Sequence, residues 1–168
     1  MATTVSTKSF PTKIDVADAT RAELAELLNA RLTDVLDLRM QAKQAHWNVK
    51  GPSFIALHEL FDQVAEEMAN FSDLIAERIT ILGHVADGRV ATVAEGTGMP
   101  AYPGDIADGL DHVEALSTSL AAFGKVIREA IEKSDELGDP TTADLFTEVS
   151  RGTDKYLWFV EAHNHAKK

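Results

Sequence analysis

Two pairs of metal-competent side chains, His58 with Asp62 and Asp73 with Glu77, each stand four residues apart in one stretch of the chain. On an α-helix that spacing stacks the members of a pair one above the other. At about 100° per residue, all four fall within roughly 100° of one another around the axis. Asp62 and Asp73 are eleven residues apart, however, which is roughly 16 Å along a helix rising ~1.5 Å per residue. No single ion can be held by both pairs of one straight helix. The two pairs share a midpoint between residues 67 and 68, where His58 mirrors Glu77 and Asp62 mirrors Asp73. Two copies of this helix packed antiparallel about a two-fold there would set His58 of one against Glu77 of the other, and Asp62 against Asp73. An isologous dimer would then build two identical sites that neither chain owns alone. Imidazole and carboxylate are donors that an iron-type ion accepts.

The elements that must position these residues are read from apolar spacing. A first helix is expected from Asp18 or Thr20 to about Val49, with Thr20 and Glu23 as a capping box and Leu24, Leu27, Leu28, Leu32, Val35, Leu36 and Met40 inward. Lys50-Gly51-Pro52-Ser53 breaks it. A second helix runs from about Ser53 to Leu82 and stops at Gly83, with a seam of Leu57, Phe61, Val64, Met68, Phe71, Ile75, Ile79 and Leu82. The four ligand-type residues flank that seam on one side, with Glu66 midway among them. Residues 84 to 105, rich in Gly and Pro, form a long crossover with a short helix inside it. A third long helix is expected over about 106 to 136 and a fourth from about Thr141 to His163. The fold class is therefore all-α, a ferritin-like four-helix bundle with its one long connection between helices 2 and 3. Residues 1–17 form a flexible N-terminal tail and 18–168 the bundle domain.

Composition narrows the function. A chain of 168 residues with 45% hydrophobic residues is long enough for one domain with a real core. It has no apolar run of eighteen, no secretory signal and no membrane partner. The absence of cysteine removes disulfides, thiolate metal sites and Cys nucleophiles together, and fits an intracellular, cytoplasmic protein. A net charge of −11 repels phosphate backbones and gathers cations, although solubility alone also accounts for it.

Ferritin-like di-iron centres built inside one bundle use Glu-x-x-His on two helices, a motif this chain lacks. The shared site gains accordingly. His46, near the end of the first helix, falls beside His58 and Asp62 in an antiparallel hairpin. His46, His58 and Asp62 from one chain with Asp73 and Glu77 from another make two imidazoles and three carboxylates, a set suited to Fe(II), with Zn(II) and Mn(II) as competitors. The imidazoles must be neutral to ligate, so activity is expected to fall as they become protonated in acid.

His46-Trp47-Asn48-Val49-Lys50-Gly51, with Phe54, Leu57-His58 and Phe61-Asp62, resembles the signature of the Dps family of bacterial mini-ferritins. Asp73 and Glu77 match that family's second ligand pair, and Asp144-Leu145-Phe146 through Leu157-Trp158-Phe159 is similar to its last helix. The similarity spans about residues 18 to 165. It implies a dodecamer of identical subunits built from two-fold dimers. It also implies a ferroxidase that oxidises Fe(II), preferably with hydrogen peroxide rather than oxygen, stores Fe(III) as ferric oxide and so protects DNA. By resemblance, His46, His58 and Asp62 bind iron from one subunit, and Asp73 and Glu77 from its mate. Trp47 is either a trap for stray oxidising equivalents or a packing anchor. Asp139, Asp144 and Glu148 resemble the acidic lining of the family's three-fold pores, the other reading being ordinary acidity at a helix N-terminus. His163 and His165 carry no assignment, and Glu66-Glu67 reads equally as a solvated face.

The alternative function is a nucleoid protein that binds and compacts DNA directly. The tails offer Lys8, Lys13, Lys167 and Lys168, few charges that twelve copies would multiply. A bundle holding zinc instead of iron is the third reading.

Overall fold

The computed structural model of the chain describes residues 8–165. Five helices follow in order: α1 Asp18–Asn48, α2 Phe54–Ile81, α3 Val90–Gly96, α4 Gly109–Glu136 and α5 Pro140–Glu161. No strand occurs among the described residues, only isolated bridges between Ser9 and His84 and between Lys50 and Asp108. The hairpins α1–α2 and α4–α5 pack on each other, α1 against α4 and α2 against α5, and α3 rides on α1 within the crossover. This is the four-helix bundle expected from the apolar spacing.

Helical periodicity fixes which side of each helix is dry. Every member of the expected α2 seam is buried, and Val113, Leu116, Leu120, Phe123 and Ile127 of α4 are buried in the same core. On α5, Gly152 lets the Phe71 ring come so near that a Cβ would lie 2.4 Å from it. The stripe expected for α1 holds except at Met40, which is 53% exposed. There the inward row continues through Leu38, Ala42 and Ala45 instead. Nor does the Thr20–Glu23 capping box form, because Ala17 is the N-cap and makes no side-chain cap bond. Arg21 ties down the start of α1 by donating to Asp18 (2.6 Å) and to the Leu82 carbonyl at the end of α2 (2.8 Å).

The crossover is held along α1 by buried polar side chains. Asn29 donates to the Val85 carbonyl and accepts from the Asp87 amide. Asp34 accepts from the Gly98 amide, and Gln41 joins the Pro100 carbonyl to the Ser119 hydroxyl. Tyr102 Oη lies 2.7 Å from Nδ1 of the buried His112, fastening the crossover to the first turn of α4. The tail expected over residues 1–17 is tethered in its described part. Phe10 donates its amide to the Gly83 carbonyl at 2.7 Å, and Gly83, at φ +82°, leaves a Cβ no room beside the Phe10 carbonyl. Residues 1–7, Lys167 and Lys168 lie outside the described residues.

Candidate metal centre

The turn over residues 49–53 folds α1 back on α2 and lays the His46 ring on that of His58, with centroids 3.7 Å apart and 19° between planes. The two rings bracket the hairpin reciprocally. His46 Nδ1 donates to the His58 carbonyl at 2.7 Å, and His58 Nδ1 donates to the His46 carbonyl at 2.8 Å. A carbonyl only accepts, so each Nδ1 carries hydrogen and the neutral ring keeps its lone pair on Nε2. That tautomer, fixed by a backbone bond on the far nitrogen, is the one metal-binding imidazoles adopt.

Asp62 follows His58 by one turn and is half-buried. Lys43, on the facing side of α1, donates to Asp62 Oδ1 at 2.5 Å. That ammonium holds the Asp62 carboxyl below the usual carboxylate range. Lys43 also sits over the Trp47 ring, 5.7 Å from its centroid. Met40, Lys43, Trp47, Asp62 and Glu66 line an open groove of about 430 Å³, floored by Ala65 and Ala69. Trp47 is 59% exposed.

Asp73 and Glu77 are exposed, about three and four turns beyond Asp62 along α2. One chain therefore stacks His46 on His58, sets Asp62 one turn further along α2 in the wall of the groove, and leaves Asp73 and Glu77 remote from them. Among the described residues, no group of three or more His, Cys, Asp or Glu stands close enough to hold an ion. The donor types still fit Fe(II): two imidazoles with Nδ1 bonded to backbone and Nε2 left over, and hard anionic oxygen nearby.

The three acidic residues around the start of α5 separate. Asp144 and Glu148 are exposed. Asp139 is buried and caps α5, accepting from the Thr141 amide and the Thr142 hydroxyl, and pairs with Arg78 at 2.7 Å. Burial opposes its ionised form, but Thr142 and Arg78 outweigh that cost and hold the carboxyl low. Asp139 thus does not share the open acidic surface that the sequence grouping gave it. Arg78 itself, next to Glu77, was not singled out in the sequence. His163 Nδ1 donates to the Phe159 carbonyl within its own helix end, and His165 is exposed beside Glu161.

The family described as a ferritin-like domain matches residues 25–166. The DNA protection during starvation protein of Agrobacterium fabrum is 46% identical over 160 residues, spanning 95% of this chain and 99% of that protein. Its namesake in Mycolicibacterium smegmatis is 31% identical over 148 residues, or 88% and 80% of the two chains. Among solved structures, Dps from Microbacterium arborescens in its high iron form superposes with a TM-score of 0.82 at 37% identity, covering 92% of this chain and 98% of that one. DpsC from Streptomyces coelicolor superposes at 0.90 with 30% identity, covering 95% and 94%.

Fold and matches together define a ferritin-like protein. Within that class the chain belongs to the Dps family, the iron-sequestering mini-ferritins.

Proposed function

We propose that the protein is a ferroxidase: a homo-oligomer, assembled as a dodecamer of two-fold dimers, that oxidises Fe(II) with hydrogen peroxide at sites shared between subunits and stores the ferric oxide. The observation that carries this reading is the reciprocal His46–His58 bracket, which occupies both Nδ1 atoms and leaves both Nε2 atoms to serve as donors near Asp62. The mirrored placement of Asp73 and Glu77 on the same helix supports their joining that half-site from the partner subunit. His46 and His58 bind Fe(II), and Asp62 with the partner's Asp73 and Glu77 stabilises the ion as its charge rises. Two ferrous ions give one electron each to peroxide, which takes up two protons and leaves as two waters without releasing a radical. Asp144 and Glu148, exposed on the first turns of α5, serve as a negative inlet for the cation. Protection of DNA then follows from removing Fe(II) and peroxide together, in the cytoplasm.

The test is to load the oligomer with Fe(II) anaerobically, add peroxide, and follow ferric absorbance alongside a hydroxyl-radical spin trap. Oxidation faster than that of free Fe(II), with little trapped radical, is the expected result. Oxidation no faster than in buffer overturns the assignment.

A further inference from the structure

The last stretch of the crossover, residues 99–108, approaches α4 without a helix of its own. Three bonds join it to the rest of the fold: Gln41 donates to the Pro100 carbonyl at 2.9 Å, Tyr102 Oη meets His112 Nδ1 at 2.7 Å, and the Lys50 amide donates to the Ala107 carbonyl at 2.9 Å. Of the groups in these bonds, only the His112 imidazole changes charge between about pH 5 and pH 8. His112 is 1% exposed, and the Phe61 ring of α2 lies 6.4 Å from it between centroids. Its Nδ1 is taken by Tyr102, and its buried Nε2 makes no hydrogen bond. A neutral ring carries hydrogen on one nitrogen alone and tolerates this arrangement. An imidazolium brings two N–H donors and a full charge into the same place, and an unpaired buried charge is costly. We infer that Tyr102 and His112 form an acid-released latch: when His112 takes up a proton, residues 99–108 leave α4 while the four long helices stay packed.

The groups around the ring set the sign. Burial opposes the imidazolium most, and Lys50, in the turn after α1, opposes it further. The Ile106 carbonyl, Asp111 on α4 and Asp108 just before that helix favour it, but they are outweighed, and His112 holds a proton less readily than a free histidine. From α2 the neighbour is the apolar Phe61 ring. Tyr102 keeps its proton throughout, since burial pushes its phenol further up. A histidine less basic in the closed form than in the open one stabilises closure above the free value of about 6.5, and that contribution is lost as the pH falls below it. The ends of the moving piece are marked as well. Gly98 donates its amide to the buried Asp34 at 2.8 Å, and Gly109 is packed so tightly on Leu57 that a Cβ would lie 2.6 Å from it.

The experiment is hydrogen–deuterium exchange of the intact, metal-free oligomer, read by mass spectrometry at pH 7.5 and pH 5.5 and corrected for the intrinsic effect of pH on exchange. In wild type, opening of residues 99–108 should rise on the order of tenfold between these values, as follows from a free histidine value of about 6.5. Peptides from the middle of α2 and α4 should hold their protection. His112→Asn places an amide where Nδ1 stood and does not titrate, so the acid step should vanish. Tyr102→Phe, which removes the bond itself, should raise opening already at pH 7.5. His112→Gln serves as a second neutral variant should the first fail to assemble, which light scattering reports. An acid step of wild-type size in the neutral variants, or no step in wild type, overturns the latch. A step shared equally by the crossover and the helices is general loosening and overturns it too. With no metal present, none of these outcomes bears on the ferroxidase reading.

Discussion

His46 and His58 each give Nδ1 to the backbone, so in the proposed site the atom left to meet an ion, Nε2, is set before any metal arrives. Asp73 and Glu77 differ, being exposed carboxylates with no structural duty in one chain. Replacing both by alanine should therefore leave stability within about 0.5 kcal/mol, as is usual for surface changes. Rapid Fe(II) oxidation should fall by at least about 10–100-fold, a loss seen even for residues that merely support metal ligands. Thermal melts beside stopped-flow oxidation would show this split, and wild-type rates in the double variant would contradict a shared site. Four of the five candidate donors were singled out by i,i+4 spacing and a common midpoint, which are properties of residue numbers, and His46 by its place at the end of the first helix. Lys43 was harder to see, since nothing in a sequence says which of several cations turns toward Asp62. Asp139 was grouped with Asp144 and Glu148 by spacing, although Asp-Pro-Thr at a helix start is an N-cap pattern that sends the first carboxylate inward.

At the scale of elements, one ion pair joins α2 to α5 and another lies within the crossover. Arg78 leaves α2 one residue after Glu77 and reaches Asp139 and Thr142 at the head of α5. Both partners are largely buried, so Arg78→Ala strands a carboxylate and should cost about 3–5 kcal/mol. Asp139→Asn should cost less, because asparagine still caps. A urea melt of each variant would rank them, and the reverse order would count against the pair. In the crossover, Arg89 lowers the Asp87 carboxyl to about 2. A carboxyl lower in the folded than in the unfolded chain stabilises the fold above the unfolded value of about 4. That contribution is lost as the pH falls toward about 2. Wild type should accordingly lose more urea resistance between pH 6 and pH 3 than Asp87→Asn, with equal losses arguing against the assignment. Helix order and most boundaries were readable from apolar period and Gly–Pro breaks. The outward turn of Met40 was not, because Ala42 and Ala45 carry the inward row there and small residues weigh little in a periodicity.

At the scale of the whole molecule, the division of donors makes a complementation prediction. Oligomers of Asp62→Ala alone, or of Asp73→Ala with Glu77→Ala alone, should both oxidise Fe(II) slowly. Refolded together, they pair so that one of the two sites in each mixed dimer draws all its donors from unaltered positions, and activity should partly return. A mixture as slow as its parents would mean that each chain works by itself. With a formal charge of −11 per chain, protection of DNA from Fe(II) and peroxide should persist at ionic strengths where gel retardation is absent. Protection that vanishes together with retardation would point to coating of the duplex instead. No helix among the described residues is long and apolar enough to cross a membrane. Finally, no described cluster in a lone protomer can grip an ion. On the proposed sharing of donors, a newly synthesised polypeptide would hold only half of each site, so rapid oxidation of Fe(II) would begin when it meets its mate.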